Sequence, residues 1–395
     1  MSSALSQSLY KDAAKVLFVF RRQRAERLVR WRQEEGPDEM LYGFTHLKFN
    51  LWDSQSSAHN DFCDLEFDYI EESLKKNSFF KRIFRPIERW IARQTRLGFA
   101  LYIAVDNFTK FRATNVFVCI NDSSGLPVVL LKCLGLSQAS IIYFSQGLSD
   151  RFKSVGNRFW ARQLFWPLYR YLLLRCDRIL VLGEGAAQHL TEVFDLPADS
   201  VDCIQFGIDS QFWHPAQLWS PPSQHAPYVL SVGSDLARDY DTLIQALPQG
   251  VSLKVVTRLP IERHNSDKQI DVASEFCDLE LRQLYQCAQF VVTPLQDVYQ
   301  PSGQSATLQA MACAKAVILT RTRGIWAPDL MQHLENCYLV SPGNVEELRA
   351  AIQYFLDKPE EANRIGNNAR KVVETALSSQ QFAQSLGDII LEYLK

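Results

Sequence analysis

Short apolar runs alternate with segments whose apolar residues recur every three or four positions, and this alternation dominates the 395-residue sequence. Compact β-branched and aromatic runs read as buried strands, while the wider spacing reads as amphipathic helix. In the first half the predicted strands are Val16–Phe20, Val116–Ile120, Ser140–Phe144, Ile179–Leu182 and Cys203–Phe206. In the second half they are Tyr228–Val232, Leu253–Thr257, Phe290–Pro294 and Ala316–Thr320, interleaved with helices over Tyr240–Leu247, Leu279–Ala288 and Ser305–Ala314. Asn344 is placed to cap a helix carrying Leu348, Ile352 and Phe355. Glu346 and Glu347 suit the dipole of its first turn, and Pro359 is expected to end it. A last amphipathic helix is predicted near Gln380–Tyr393.

Strands that alternate with crossover helices predict parallel sheets, and the pattern is wound twice. A length of 395 residues exceeds one comfortable core. The stretch His214–Pro227 holds four prolines and little periodicity, as expected of a linker. The expected organisation is an α/β protein of two Rossmann-like domains facing a cleft. Residues 1–208 form the first domain, 209–227 the linker and 228–378 the second domain. Residues 379–395 form a helix returning to the first.

Composition narrows the class. With 47% hydrophobic and 22% charged residues the chain reads as an ordinary globule. Its net charge of −2 is unevenly spread: residues 1–200 carry 27 Lys/Arg against 22 Asp/Glu, residues 201–395 carry 15 against 22. The mildly acidic whole argues against a nucleic-acid partner. Nine scattered cysteines, Cys119, Cys203, Cys287 and Cys313 among them, show no C-x-x-C pair, which suits buried thiols in a reducing compartment. The run Val16–Phe20 is followed by Arg21-Arg22, the wrong order for a cleaved leader, and charges interrupt the longest apolar stretches. A cytoplasmic protein, or one resting on the inner membrane face, is expected.

Two segments are candidates for chemistry. In Gly233-Ser234-Asp235-Leu236-Ala237-Arg238-Asp239-Tyr240 a strand stops at glycine before a helix opens, at the sheet edge where ligands of open α/β folds bind. Arg238 there could neutralise a diphosphate or, as a surface residue, pair with Asp235 or Asp241. In Pro301–Ala312 a small-residue loop leads into a helix whose first amides would attract phosphate, or whose end Ser305 would simply cap. Gln309, one turn in, could bond ribose hydroxyls or be solvated. Gly183-Glu184-Gly185-Ala186-Ala187-Gln188 superficially suggests a dinucleotide fingerprint, with Asp202 at a suitable distance. Gln188 in the third glycine position and Glu184 beside a pyrophosphate argue against it.

Together these pieces resemble the donor domain of GT-B glycosyltransferases of the retaining, glycogen-synthase-like group. "VLSVGSDLARDYDTLIQAL" is similar to that group's strand–Gly–helix opening, and "LELRQLYQCAQFVVTPLQ" to the helix and strand before the donor loop. "SGQSATLQAMACAKAVILT" is similar to the loop itself. "GIWAPDLMQHLENCYLVSPGNVEELRAAIQYFL" follows the same order, and "FGIDSQFWHP" resembles the hinge entry. The resemblance implies that Gly233 admits the donor backbone-close, that Arg238 binds its diphosphate, and that Gly303, Gln304 and Ser305 meet the phosphates with amides. Arg258 would be a second cation, Gln309 a ribose contact, and Gln146 and Gly147 the acceptor side.

Two departures stand out. The group's paired loop glutamates fall here on Gln309 and on or beside Pro301, next to Gln300, and Ser145-Gln146-Gly147 replaces a histidine-bearing loop. The resemblance implies transfer of a hexose from a UDP or GDP donor to a saccharide or lipid-linked acceptor, with no cofactor, no metal and no assigned protein base. A catalytically degenerate sugar-nucleotide-binding or scaffold subunit is the alternative. Finally, the basic-aromatic segments Phe79–Arg96 and Arg151–Arg178 fit either attachment to anionic lipid or core-packed helices with solvated arginines. The second includes Arg158, Trp160, Arg162, Phe165, Trp166, Tyr169 and Arg170.

Overall fold

The computed structural model describes residues 13–52, 62, 65–72, 78–153, 159–216, 227–261 and 269–394. Most of the proline-rich stretch (217–226), Arg158 and the side chain of Trp160 lie outside the described residues. The first sheet is built from β1 (Ala14–Val19), β2 (Leu65–Ile70), β3 (Val116–Cys119), β4 (Ser140–Phe144), β5 (Arg178–Val181) and β6 (Val201–Cys203). The second holds β7 (Val229–Val232), β8 (Leu253–Val256), β9 (Ile270–Ala273), β10 (Val291–Thr293), β11 (Val317–Thr320) and β12 (Tyr338–Val340). Their orders are β2-β1-β3-β4-β5-β6 and β12-β11-β10-β7-β8-β9, and every pairing between these strands is parallel. This is the GT-B architecture of two Rossmann-like domains.

The interior strands are apolar on both faces because helices cover both sides of each sheet; β3, β7 and β11 are buried along their whole length. Strands β2, β9 and β12, which the apolar pattern does not announce, lie at sheet edges. An edge strand has one neighbour and tolerates the charges of Leu65–Ile70 and Ile270–Ala273. The fourth edge, β6, ends where a strand was expected to begin. All described cysteines are free thiols, with Cys119 and Cys313 buried and Cys203 exposed.

Asn344 caps the helix Val345–Asp357, its side chain accepting from the Glu347 amide at 3.0 Å. Pro359 does more than end that helix. It opens an 18-residue helix, Pro359–Ala376, in which its missing N–H and fixed φ suit the first position. The final helix, Ser379–Glu392, starts from a capping box of Ser378 and Gln381. It lies against the first domain: the Phe382 ring meets those of Tyr42, Phe144 and Phe206. The two passages of chain between the domains bond each other, Ile208 donating to the Leu377 carbonyl and Ser379 to that of Ile208, each at 2.8 Å.

Gly43 sits at φ +75 with its α-carbon face on Ala383, where a β-carbon would stand 2.9 Å from backbone. Gly43→Val should therefore lower the free energy of unfolding by about 3 kcal/mol or more, from left-handed strain plus overpacking. Denaturant titration of wild type and variant measures it.

Candidate functional site

Strand β7 ends at Val232 and the chain turns at Gly233; β4 ends at Phe144 and the chain turns through Ser145–Gly147. Both turns leave the carboxyl edges of their sheets, and they face each other across a cavity of about 610 Å³. From the second domain the cavity takes Gly233, Arg238, Gly303, Gln304, Ser305 and Gln309. From the first it takes Arg27, Met40, Tyr42, Gln146 and Gly147.

Arg238 is only 6% exposed. The segment that carries it is stitched to the end of β10: Asp239 donates to the Pro294 carbonyl at 3.1 Å and Gln296 to that of Ala237 at 2.8 Å. Its guanidinium lies over Gly233, where a β-carbon would fall 2.1 Å from Nε, and close to Gly303, where one would stand 3.4 Å from Nη1. Nε and Nη1 are buried and have no hydrogen-bond partner. Neither Asp235 nor Asp241 pairs with it; Asp235 accepts from the Ala237 amide instead. Burial lowers the Arg238 pKa, the expected response of a cation removed from water without a counter-charge. A buried guanidinium with two idle donors is costly unless an anion completes it.

The cavity's second wall is the helix Gln304–Ala312. Its N-cap is Gly303, in the left-handed region at φ +75, and no side chain caps the end. Ser305 lies inside the helix and does not serve as the cap. The first-turn amides therefore face the cavity as free donors beside Arg238. Gln304 Nε2 is a further buried donor with no partner. Cation, uncapped helix end and side-chain amide converge on a space bordered by two glycines.

Residues 226–372 match the family described as Glycosyl transferases group 1. The second domain is a group 1 glycosyl transferase domain. Over 291 residues the chain is 22% identical to an MMP alpha-(1->4)-mannosyltransferase of Mycolicibacterium hassiacum, covering 68% of each. Among solved structures it is similar to sucrose-phosphate synthase of Thermosynechococcus elongatus, with 17% identity and a TM-score of 0.64 over 96% of this chain and 99% of that one. It is also similar to Anabaena HepE in complex with UDP-glucose, with 13% identity and a TM-score of 0.62 over 96% and 99%. These structures share the two-domain fold.

In the glycosyl transferase domain Gln309 is neither solvated nor idle. Its Oε1 accepts from the Tyr285 hydroxyl at 3.1 Å, and its Nε2 donates to Glu39 Oε1 of the first domain at 3.2 Å. Glu39 Oε1 also accepts from Trp213 Nε1 at 3.0 Å. Gln309 thus borders the cavity while its amide binds the two domains together. Burial, with the nearby charges of Asp209 and Asp38, pushes the Glu39 carboxyl up to about 8. Apolar packing favours its neutral form, and the two donated bonds offset this only partly.

The donor loop also meets the first domain. Gln300 Oε1 lies where a β-carbon on Gly147 (φ +87) would be, at 2.1 Å, so only glycine admits that approach. Tyr299 stacks on His189 at 4.2 Å, with the Arg323 guanidinium 4.2 Å from its ring centre on the same loop cluster. Gly185, part of the apparent dinucleotide fingerprint, packs against the Arg323 carbonyl, where a β-carbon would stand 2.0 Å away. Its lack of a side chain serves domain contact. On the acceptor side the Gln146 amide nitrogen donates to the Tyr42 hydroxyl at 2.8 Å. Arg258 lines an adjoining cavity, with Ser274, Glu275 and Phe276, which meets the first at Gly233, Ser234 and Arg27. Arg27 stands at that junction, and sequence reasoning missed it. Its only signal was one basic position among five arginines of the stretch Arg21–Arg30.

Two outcomes follow from this geometry. Gly233→Ala should displace the Arg238 guanidinium and lower affinity for a diphosphate probe about as much as removing the charge, on the order of tenfold or more; calorimetric titration with ADP, UDP and GDP reads it. For Glu39, the folded state keeps a proton that the unfolded chain releases near 4.5, so its contribution to stability declines as pH rises from 4.5 through about 8. Glu39→Gln mimics the protonated form, so thermal midpoints should increasingly favour the variant over wild type across that window. A pH-independent difference rejects the assignment.

Proposed function

We propose that the protein is a hexosyltransferase that binds a nucleoside-diphosphate sugar in the 610 Å³ cavity and transfers the sugar with retention of configuration. The buried, unpartnered Arg238 guanidinium facing the uncapped end of Gln304–Ala312 carries this reading. Its donor pair suits two adjacent phosphates. Gly233 and Gly303 leave the backbone open, Ser305 adds a first-turn amide, and Gln304 adds its side-chain amide. The adjoining cavity with Arg258 suits the nucleoside, as UDP or GDP. Arg27, where the two cavities meet, is placed to add positive charge.

In the reaction the bond between the anomeric carbon and the donor phosphate oxygen breaks, and the acceptor oxygen bonds to the same carbon on the same face. The acceptor proton passes to the departing phosphate, as the resemblance implies, so no protein base is required. Arg238 and the helix amides stabilise the charge that grows on the leaving diphosphate, and the cavity walls position the reacting groups. Gln146 and Gly147, on the opposite wall, are placed to position a saccharide or lipid-linked acceptor.

One observation favours a second reading, a sugar-nucleotide-binding or scaffold subunit. Pro301 offers no polar side chain, and the Gln309 amide is engaged by Glu39 and Tyr285. The two readings separate when the protein is incubated with a panel of nucleotide sugars, with and without a lipid extract, and nucleotide release is measured. Release with one donor supports the transferase; donor binding without release under every condition supports the subunit. Arg238→Met should weaken donor binding by about 1.5–3 kcal/mol, the range of a charge-assisted bond. Unchanged affinity removes Arg238 from the site.

A further inference from the structure

The 17-residue helix Phe79–Thr95 of the first domain has three chemically distinct sectors. At about 3.6 residues per turn, Phe84, Glu88, Ile91 and Thr95 share one face. That face packs inward: Glu88 and Thr95 are buried, and Phe84 and Ile91 lie against the core. Phe79, Phe80, Ile83, Ile87 and Trp90 occupy a second sector, open to solvent, with Phe79 69% and Ile87 53% exposed. Arg82, Arg85, Arg89, Arg93 and Arg96 form the third sector, also exposed. The guanidinium groups of Arg82, Arg85, Arg89 and Arg96 have no ion-pair or hydrogen-bond partner among the described residues.

A soluble surface rarely leaves five large apolar side chains in one continuous stripe. The adjoining side chains of Arg82, Arg85, Arg89 and Arg96 are equally unexplained by the fold. The lysine and arginine that do serve the fold are committed elsewhere: Lys81 pairs with Glu72 at 3.0 Å, and Arg21 with Glu88 at 2.7 Å. Those two pairs hold the helix to the carboxyl edge of the first sheet, since Arg21 and Glu72 follow β1 and β2 directly. Ser145–Gly147 leave β4 at the same edge to reach the cavity.

We propose that this helix docks the protein on an anionic phospholipid bilayer, the apolar stripe entering the interface and the arginine ridge meeting phosphate headgroups. Adjacent apolar and cationic sectors on one helix match that boundary, where hydrocarbon and anionic phosphate lie side by side. With its one acid, Glu88, buried, the helix presents uniform positive charge on that ridge, the complement of an anionic headgroup layer. No helix among the described residues is long and apolar enough to cross a membrane, so the contact is with the surface. Because the helix hangs on the cleft-facing edge, docking would bring the acceptor wall near the headgroups. The inference goes beyond the transfer reaction and does not depend on it.

The test uses the full chain, sedimented with vesicles of phosphatidylcholine alone and of phosphatidylcholine mixed with phosphatidylglycerol. Binding should appear on the anionic vesicles and fall as salt rises, since surface attraction is screened within about 8 Å at physiological ionic strength. Arg82→Gln, Arg85→Gln and Arg89→Gln combined should weaken it on the order of a hundredfold, about fivefold per arginine. Ile83→Ser with Ile87→Ser should weaken it at least tenfold with every arginine retained. Donor affinity should not move in either variant, which separates this proposal from the transferase reading. Equal binding to both vesicle types, an unaffected arginine variant, or a dimer through this face that the isoleucine variant breaks without vesicle binding would each overturn it.

Discussion

An arginine held out of water with nothing to neutralise it organises the second domain. Arg238 is buried between Gly233 and Gly303, with Nε and Nη1 unbonded. A protein that places a cation there accepts a desolvation cost, and an anionic ligand recovers it. Much else in that region follows from keeping the guanidinium in place. Two glycines leave it room, the bridge between Arg238 and Leu295 fixes its backbone, and the Tyr240 hydroxyl donates to the Gly233 carbonyl at 2.6 Å. The helix beyond Gly303 begins without a side-chain cap, which leaves its first-turn donors free beside the guanidinium.

The two domains are joined by polar and close-packed contacts around that cavity. Glu39 and Gln309 bond across the floor, Gln300 meets Gly147 across the mouth, and Tyr299 stacks on His189 to one side. Each contact joins a loop or helix of the second domain to one of the first. The returning helix Ser379–Glu392 completes the first domain's core through Phe382. Cleft geometry therefore depends on several small couplings, among them the protonation of Glu39, whose neutral form suits its apolar setting.

The loss of the paired loop glutamates looks different in three dimensions. Gln309 forms the bond between the domains, and Gln300, beside Pro301, contacts the first domain's glycine turn. Both positions bind protein to protein, while the donors left without partners at the cavity are Arg238, Gln304 and the helix amides.

The sequence by itself determined the doubly wound α/β class, the interior strands, most of the second domain's helices and the candidate diphosphate residues. These are local or periodic signals: a strand buried on both faces is a continuous apolar run, and a phosphate loop is short in sequence. The edge strands β2, β9 and β12 escaped because an edge strand can be polar. Pro359 ends its helix as expected, but the helix it opens escaped, because a proline that stops one helix can equally start the next. Only the tertiary structure decided that Arg238 is unpaired, that Gln309 faces Glu39 across 270 positions of chain, and that Arg27 reaches the cleft. The stripe from Phe79 to Trp90 belongs with these: its spacing was visible, but which face the fold would bury was not. Partnerships between distant residues depend on how two sheets and their helices close on each other, and no local pattern encodes that closure.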